Sequence, residues 1–217
     1  MTSATAPSSV ELRAALRMQL TTRPVQLRGS VLARALLRLA SWQVRFDGLP
    51  ALQGVVIIYP HTSNWDFVVG LLAKWSIGIP VTFWGKASLF GVPLFGRWLR
   101  WLGGRPVDRT APQGIVGQMA EELKAARRNG EFMWLALSPE GTRKAQDHWR
   151  SGFYHVALDA QVPLALAAFD FANRVVTVDH FVALCGDADA DMAEIRAFFS
   201  GCRGKRPDQA APIRFKP

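Results

Sequence analysis

The run VVIIY at residues 55–59 constrains the fold more than any other feature of this sequence. Four of its five residues are β-branched, and Gly54 and Pro60 bound it, the pattern of a strand buried on both faces. Such a strand needs a covering layer on each side, and the surrounding chain has to supply helices for them. The segments that follow do so. Residues 67–76 read as a helix, 81–85 as a strand, and 88–102 as short helical pieces rich in aromatics and glycine. A short strand or turn at 105–109 precedes a helix over 113–128, which Asn129-Gly130 closes. Residues 132–137 read as a strand, 151–161 as a helix, 163–169 and 175–181 as strands, and 189–199 as a last helix. This alternation predicts a single α/β domain with a mainly parallel or mixed sheet flanked by helices. Ligands of such sheets gather where strand ends release loops.

Charge is unevenly placed along the chain. The total is +9, from 26 Lys and Arg against 17 Asp and Glu. Residues 1–46 contribute seven arginines and one acid, and residues 203–217 contribute five basic residues and one acid. The middle is therefore close to neutral, which speaks against a nucleic-acid-binding fold and for basic ends on a neutral core. Residues 1–9 read as disordered and 10–20 as a short helix, followed by a break at 21–24. Ser30 is placed to cap a second helix reaching about Phe46, with Arg34, Arg38 and Arg45 on one side and Leu32, Leu36 and Leu39 opposite. A helix of this kind either packs on the core or docks on an anionic membrane surface. Two cysteines, Cys185 and Cys202, give neither a disulfide framework nor a zinc motif. The sequence shows no secretory signal and no 18-residue apolar run, so no spanning helix is expected.

Chemistry concentrates in loops that leave strands. His61-Thr62-Ser63-Asn64-Trp65-Asp66 follows the 55–59 strand directly. A histidine takes and returns protons near neutral pH, and a carboxylate five residues on can orient its ring and stabilise the imidazolium. No Gly-x-Ser-x-Gly nucleophile motif accompanies the pair, so the attacking hydroxyl belongs to a substrate. Ser138-Pro139-Glu140-Gly141-Thr142-Arg143 leaves a second strand, and its arginine suits an anion. Gly103-Gly104-Arg105-Pro106-Val107-Asp108-Arg109 and Val162-Pro163 complete the set. His148 and His155 have no carboxylate at ligand spacing, so no metal is expected there. The tryptophans over residues 84–101, near Lys86, Arg97 and Arg100, suit either the core or a membrane interface.

In this order the blocks resemble the glycerolipid acyltransferase family typified by bacterial 1-acylglycerol-3-phosphate acyltransferase (PlsC-type, a lysophospholipid acyltransferase) over about half of the chain. The resemblance implies that His61 is the general base and Asp66 its partner. It implies that Lys86, Arg109 and Arg143 hold the acceptor's phosphate, with Glu140, Gly141 and Thr142 shaping that site. Arg150-Ser151-Gly152 resembles the basic step the family places before its Val/Ile-Pro block. Ser138, Lys144 and Pro60 depart from the usual residues and leave the acceptor open among lysophosphatidate, other lysolipids, amino-acid lipids and pigment precursors.

The implied reaction moves an acyl group from a thioester donor, acyl-CoA or acyl carrier protein, to a lysolipid hydroxyl. No metal or organic cofactor is implied. Oxyanion donors are expected among the backbone N–H groups near Gly141 or at the start of the helix after Asp66. The expected organisation is a disordered start and basic docking helices over 1–46, an acyltransferase domain over 47–202 and a basic tail over 203–217. The expected location is the cytoplasmic face of the inner membrane, as a peripheral or monotopic protein. The rivals to this reading are a membrane-surface binding protein without turnover and a hydrolase.

Overall fold

The computed structural model describes residue 25 and residues 27–107 and 114–216. The expected helix at 10–20 and Arg109 lie outside the described residues. In chain order the elements are α1 (Val31–Leu39), β1 (Gln43–Arg45), β2 (Gln53–Tyr59), α2 (Trp65–Ile77), β3 (Thr82–Lys86), α3 (Ala87–Phe90), α4 (Phe95–Trp101) and β4 (Gly104–Val107). They continue as α5 (Gly114–Arg128), β5 (Met133–Leu137), α6 (Gly152–Ala160), β6 (Leu164–Asp170), β7 (Val175–Val182), α7 (Ala188–Phe199) and a 3-10 turn, Pro207–Gln209.

One sheet of seven strands runs in the order β1-β7-β6-β2-β5-β3-β4. Strands β2 to β6 are mutually parallel, β7 is antiparallel to β6, and β1 is parallel to β7. The β-branched run sits in β2 at the centre, almost wholly buried. Its side chains alternate between two cores, as the two-residue period of a strand requires. Val55, Ile57 and Tyr59 enter the larger core with α5, α6 and α7 residues such as Leu123, Phe153 and Ile195. Val56 enters the other with Val69 and Ala73 of α2. Strand β6 divides likewise: Leu164 and Leu166 face the larger core, and Ala165, Ala167 and Phe169 face α2. The result is a three-layer α/β domain.

Register brings the chemical loops together. Ile57 of β2 pairs with Leu137, the last residue of β5, and Tyr59 pairs with Ala168 of β6. The loops after β2 and β5 therefore emerge side by side at one edge of the sheet, which Lys86 also reaches as the last residue of β3.

Three expectations change. The helix begun at Ser30, whose hydroxyl caps Ala33 N–H at 3.2 Å, ends at Leu39 instead of continuing to Phe46. Ser41 turns the chain with φ +59°, and Trp42 packs edge-on to Phe171 at 4.9 Å. Residues 43–45 then join the sheet as β1, so Arg45 leaves the helical face that carries Arg34 and Arg38. On α1 the core side is Ala33 and Leu37, while Leu32, Leu36 and Leu39 are exposed, Leu39 to 85%. The third change concerns residues 203–216, which pack into the domain. Ala211 is fully buried, Phe171 N–H donates to Arg203 O at 2.8 Å, and Trp149 N–H donates to Arg214 O at 2.7 Å. Phe215 packs tilted against Phe153 and edge-on against Tyr154. Among the described residues no helix is long and apolar enough to cross a membrane.

Candidate active site

His61 stands in the loop that the C-terminal end of β2 releases, and Asp66 lies in the first turn of α2. His61 Nδ1 is 3.2 Å from Asp66 Oδ2, with the aspartate side chain wholly buried and the imidazole one-fifth exposed. Their alignment falls short of a hydrogen bond, a looseness common where substrate is absent. Asp66 Oδ2 also accepts Ser63 N–H at 2.8 Å, and a carboxylate in the first turn of a helix is favoured by the helix dipole. With Nδ1 turned to the carboxylate, Nε2 is the nitrogen left to exchange a proton.

The second loop supports the first from beneath. Glu140 is 1% exposed, and its two oxygens accept the backbone N–H of His61 at 2.5 Å and of Ala211 at 2.9 Å. A carboxylate so engaged braces the histidine loop and ties it to the closing segment of the chain. Burial pushes its carboxyl above the ordinary glutamate range, and Asp66 adds to that shift. The two N–H bonds and the nearby His61 oppose it. Tyr59, whose hydroxyl donates to Ala211 O at 3.0 Å, is raised to about 12 by burial and by the charge of Glu140.

Gly141 adopts φ +67°, and a Cβ there would sit 2.7 Å from Arg150 Nε. Both the left-handed turn and the close guanidinium require glycine. Arg150, noted in the sequence only as a step before a helix, thus lies against the Gly141 backbone. Arg143 is exposed and donates from Nε to Ser63 O at 3.2 Å, joining the two loops. Thr142 Oγ1 accepts Lys144 N–H at 3.3 Å. Lys86 ends β3 at the same sheet edge.

Four of the backbone donors expected for an oxyanion are occupied locally. Gly141 N–H goes to Ser138 O, Asp66 N–H to Ser63 O and Phe67 N–H to Asn64 O. Trp65 N–H goes to Ser63 Oγ. The C-terminal segment is the part of the site that sequence reasoning missed. Arg206 N–H donates to Thr62 Oγ1 at 3.1 Å, and a Cβ on Gly204 would come within 2.7 Å of that oxygen. Gln209, with its amide turned to donate, reaches Arg143 O at 2.7 Å and Thr62 O at 3.3 Å.

A cavity of about 450 Å³ opens at His61, Asp66, Ser138 and Arg143 and runs between α2 and the sheet. Along α2 it is lined from Asp66 to Ile77, about 16 Å at 1.5 Å per residue. Small residues make room for it: Gly70 and Ala73 on α2, Ala136 on β5 and Ala167 on β6. Near the end of α2, Lys74 donates from Nζ to Val81 O at 3.1 Å and to Leu102 O at 2.5 Å. Burial lowers its pKa.

Comparison with curated proteins gives no match. A solved structure to which the chain is similar is the crystal structure of the 1-acyl-sn-glycerophosphate (LPA) acyltransferase PlsC from Thermotoga maritima. The two share 15% identity over 76% of this chain and 72% of that one, with a TM-score of 0.49. The family model described as Acyltransferase matches residues 43–168, from the start of β1 into β6 and across both chemical loops. More than half of the sequence is thereby covered, and the chain belongs to the Acyltransferase family.

Proposed function

We propose that the protein transfers an acyl group from a thioester donor to the hydroxyl of a lysolipid at a membrane surface. The observation that carries this reading is the His61–Asp66 pair at the mouth of an apolar cavity long enough for an acyl chain. In the proposed reaction His61 Nε2 takes the proton of the acceptor hydroxyl as its oxygen bonds to the thioester carbonyl carbon. The C–S bond then breaks, the acyl ester forms, and the proton passes to the departing sulfur, giving a thiol. Asp66 holds the ring and stabilises the imidazolium between these steps. General-base catalysis of this kind is worth about 10²–10⁴-fold, and positioning contributes the rest. With the N–H groups of Gly141, Trp65, Asp66 and Phe67 engaged in their own turns, the Arg143 guanidinium, which reaches the histidine loop at Ser63 O, is a charged donor on this side of the site.

The acceptor proposed is 1-acylglycerol-3-phosphate, with its phosphate held by Arg143 together with Lys86 and Arg109, which the family resemblance assigns to it. A location on the cytoplasmic face of the inner membrane is part of the same proposal. The exposed leucines of α1 support membrane contact, since they are unused by the core, and Arg38 stands exposed among them. The test is acyl transfer by purified protein with labelled acyl-CoA or acyl carrier protein and a panel of lysolipids, run beside His61→Ala. Transfer to lysophosphatidate that vanishes in the variant, with the fold intact, is the expected result. Transfer restricted to phosphate-free acceptors overturns the arginine assignment, and full activity of His61→Ala overturns the mechanism.

A further inference from the structure

We infer that the hairpin of α3 and α4, residues 87–101, inserts into an anionic bilayer and forms the side wall through which a lipid acceptor reaches the cavity. The part about the acceptor rests on the acyl-transfer reading above. Helices of four and seven residues have little stability of their own in water, so packing has to hold them. Here the core supplies only part of that packing: Phe90, Gly96 and Leu99 are buried, and most of the other apolar side chains are not.

Those exposed side chains fall into two sets. Leu89, Phe95 and Trp98 line the cavity and are also open to solvent. Val92, Leu94 and Trp101 are exposed without lining it, Leu94 to 78% and Trp101 to 73%. One thin element thus separates the cavity from the outside and is apolar on both sides. Leu94 makes the case sharper. It holds φ +62° and ψ −51°, a conformation that a side-chain-bearing residue adopts at a cost, and it does so where its side chain gains no burial within the chain. Contact with acyl chains would supply that burial.

Charge selects the occupant. Residues 87–101 contain no Asp or Glu and two cations, Arg97 and Arg100, whereas Arg105 further on is paired with Glu122 at 3.0 Å and Lys74 donates to backbone carbonyls. Arg97 and Arg100 are exposed on the hairpin itself, and Arg100 lies over the Phe90 ring at 5.6 Å. Aromatic rings beside arginines are the composition of a membrane interface, and anionic headgroups complement these charges. A second copy of the chain docked through the same hairpin would meet Arg97 and Arg100 with like charge.

The test compares the wild type with V92E/L94E/W101E, whose three positions lie outside the cavity, with circular dichroism to confirm folding. Co-sedimentation uses vesicles of phosphatidylcholine with and without phosphatidylglycerol, and transfer is measured to a lysolipid in those vesicles and to a short-chain, freely dissolved one. Binding to the anionic vesicles should fall about tenfold or more in the variant. Transfer to the vesicle-borne acceptor should fall with it, and transfer to the dissolved acceptor should stay unchanged. Undiminished vesicle binding by the folded variant overturns the proposal. So does a wild type that ignores vesicles but self-associates through this face, or one that binds only an acidic acyl carrier protein there. Absence of transfer to both acceptors, with vesicle binding still lost in the variant, sinks the acyl-transfer reading and supports the docking face.

Discussion

Glu140 shows how a single buried side chain can organise a reactive loop through the backbone. Its carboxylate ties the backbone of His61 to that of Ala211, residues 79 and 71 positions away. Glu140→Ala leaves both N–H groups without their partner in a buried place, and should cost about 2 kcal/mol or more in urea unfolding while lowering turnover. Folding raises the pKa of this acid, so its contribution to stability is fully present below the ordinary value of 4.5 and is lost as pH rises through the native value. The unfolding free energy should therefore show a downward step starting near pH 4.5, absent from Glu140→Gln. Leu94 belongs to the same scale. Leu94→Gly removes the strain at φ +62° and should stabilise the isolated protein by about 1 kcal/mol in thermal unfolding, while weakening attachment to anionic vesicles.

Among the elements, α2 and the closing segment do most to shape the site. The closing segment holds the histidine loop through Thr62, Glu140 and Gln209, and at Gly204 it leaves no room for a Cβ against Thr62. A Gly204→Val side chain would meet Thr62 Oγ1 and the Pro60 ring. Activity assays should show kcat falling more than donor KM rises, because the displaced group is the base and not the cavity. Helix α2 approaches β6 so closely at Gly70 that a Cβ would stand 3.2 Å from Phe169 Cζ. Gly70→Leu should fill the middle of the cavity and shift preference toward short-chain thioesters, measured as kcat/KM across a donor series. An unchanged chain-length profile would show that the donor's tail lies elsewhere.

At the scale of the whole molecule, the sheet edge collects the reactive loops, and among the described residues the exposed large apolar side chains other than Leu52 lie on α1, α2 and the α3–α4 hairpin. With a net charge of +9, attachment to anionic vesicles should weaken steeply as salt shortens the Debye length, leaving a residual apolar component. Co-sedimentation over a salt series checks this, and a salt-independent affinity would assign attachment to apolar contact alone.

The sequence by itself determined the central strands, the helices between them and the two loops that carry His61, Asp66 and Arg143. Those elements are written in local period and composition, and a spacing of five residues is enough to pair a histidine with an aspartate. Only the tertiary structure decided that residues 43–45 complete the sheet, that Glu140 props the histidine, and that residues 203–216 belong to the site. Each of these rests on hydrogen bonds or packing between residues far apart in the chain, and such contacts impose no local periodicity. The same holds for the leucines of α1. A helical wheel separates them from the arginines, but only the position of the helix on the domain decides that Ala33 and Leu37 face the core and Leu39 faces outward.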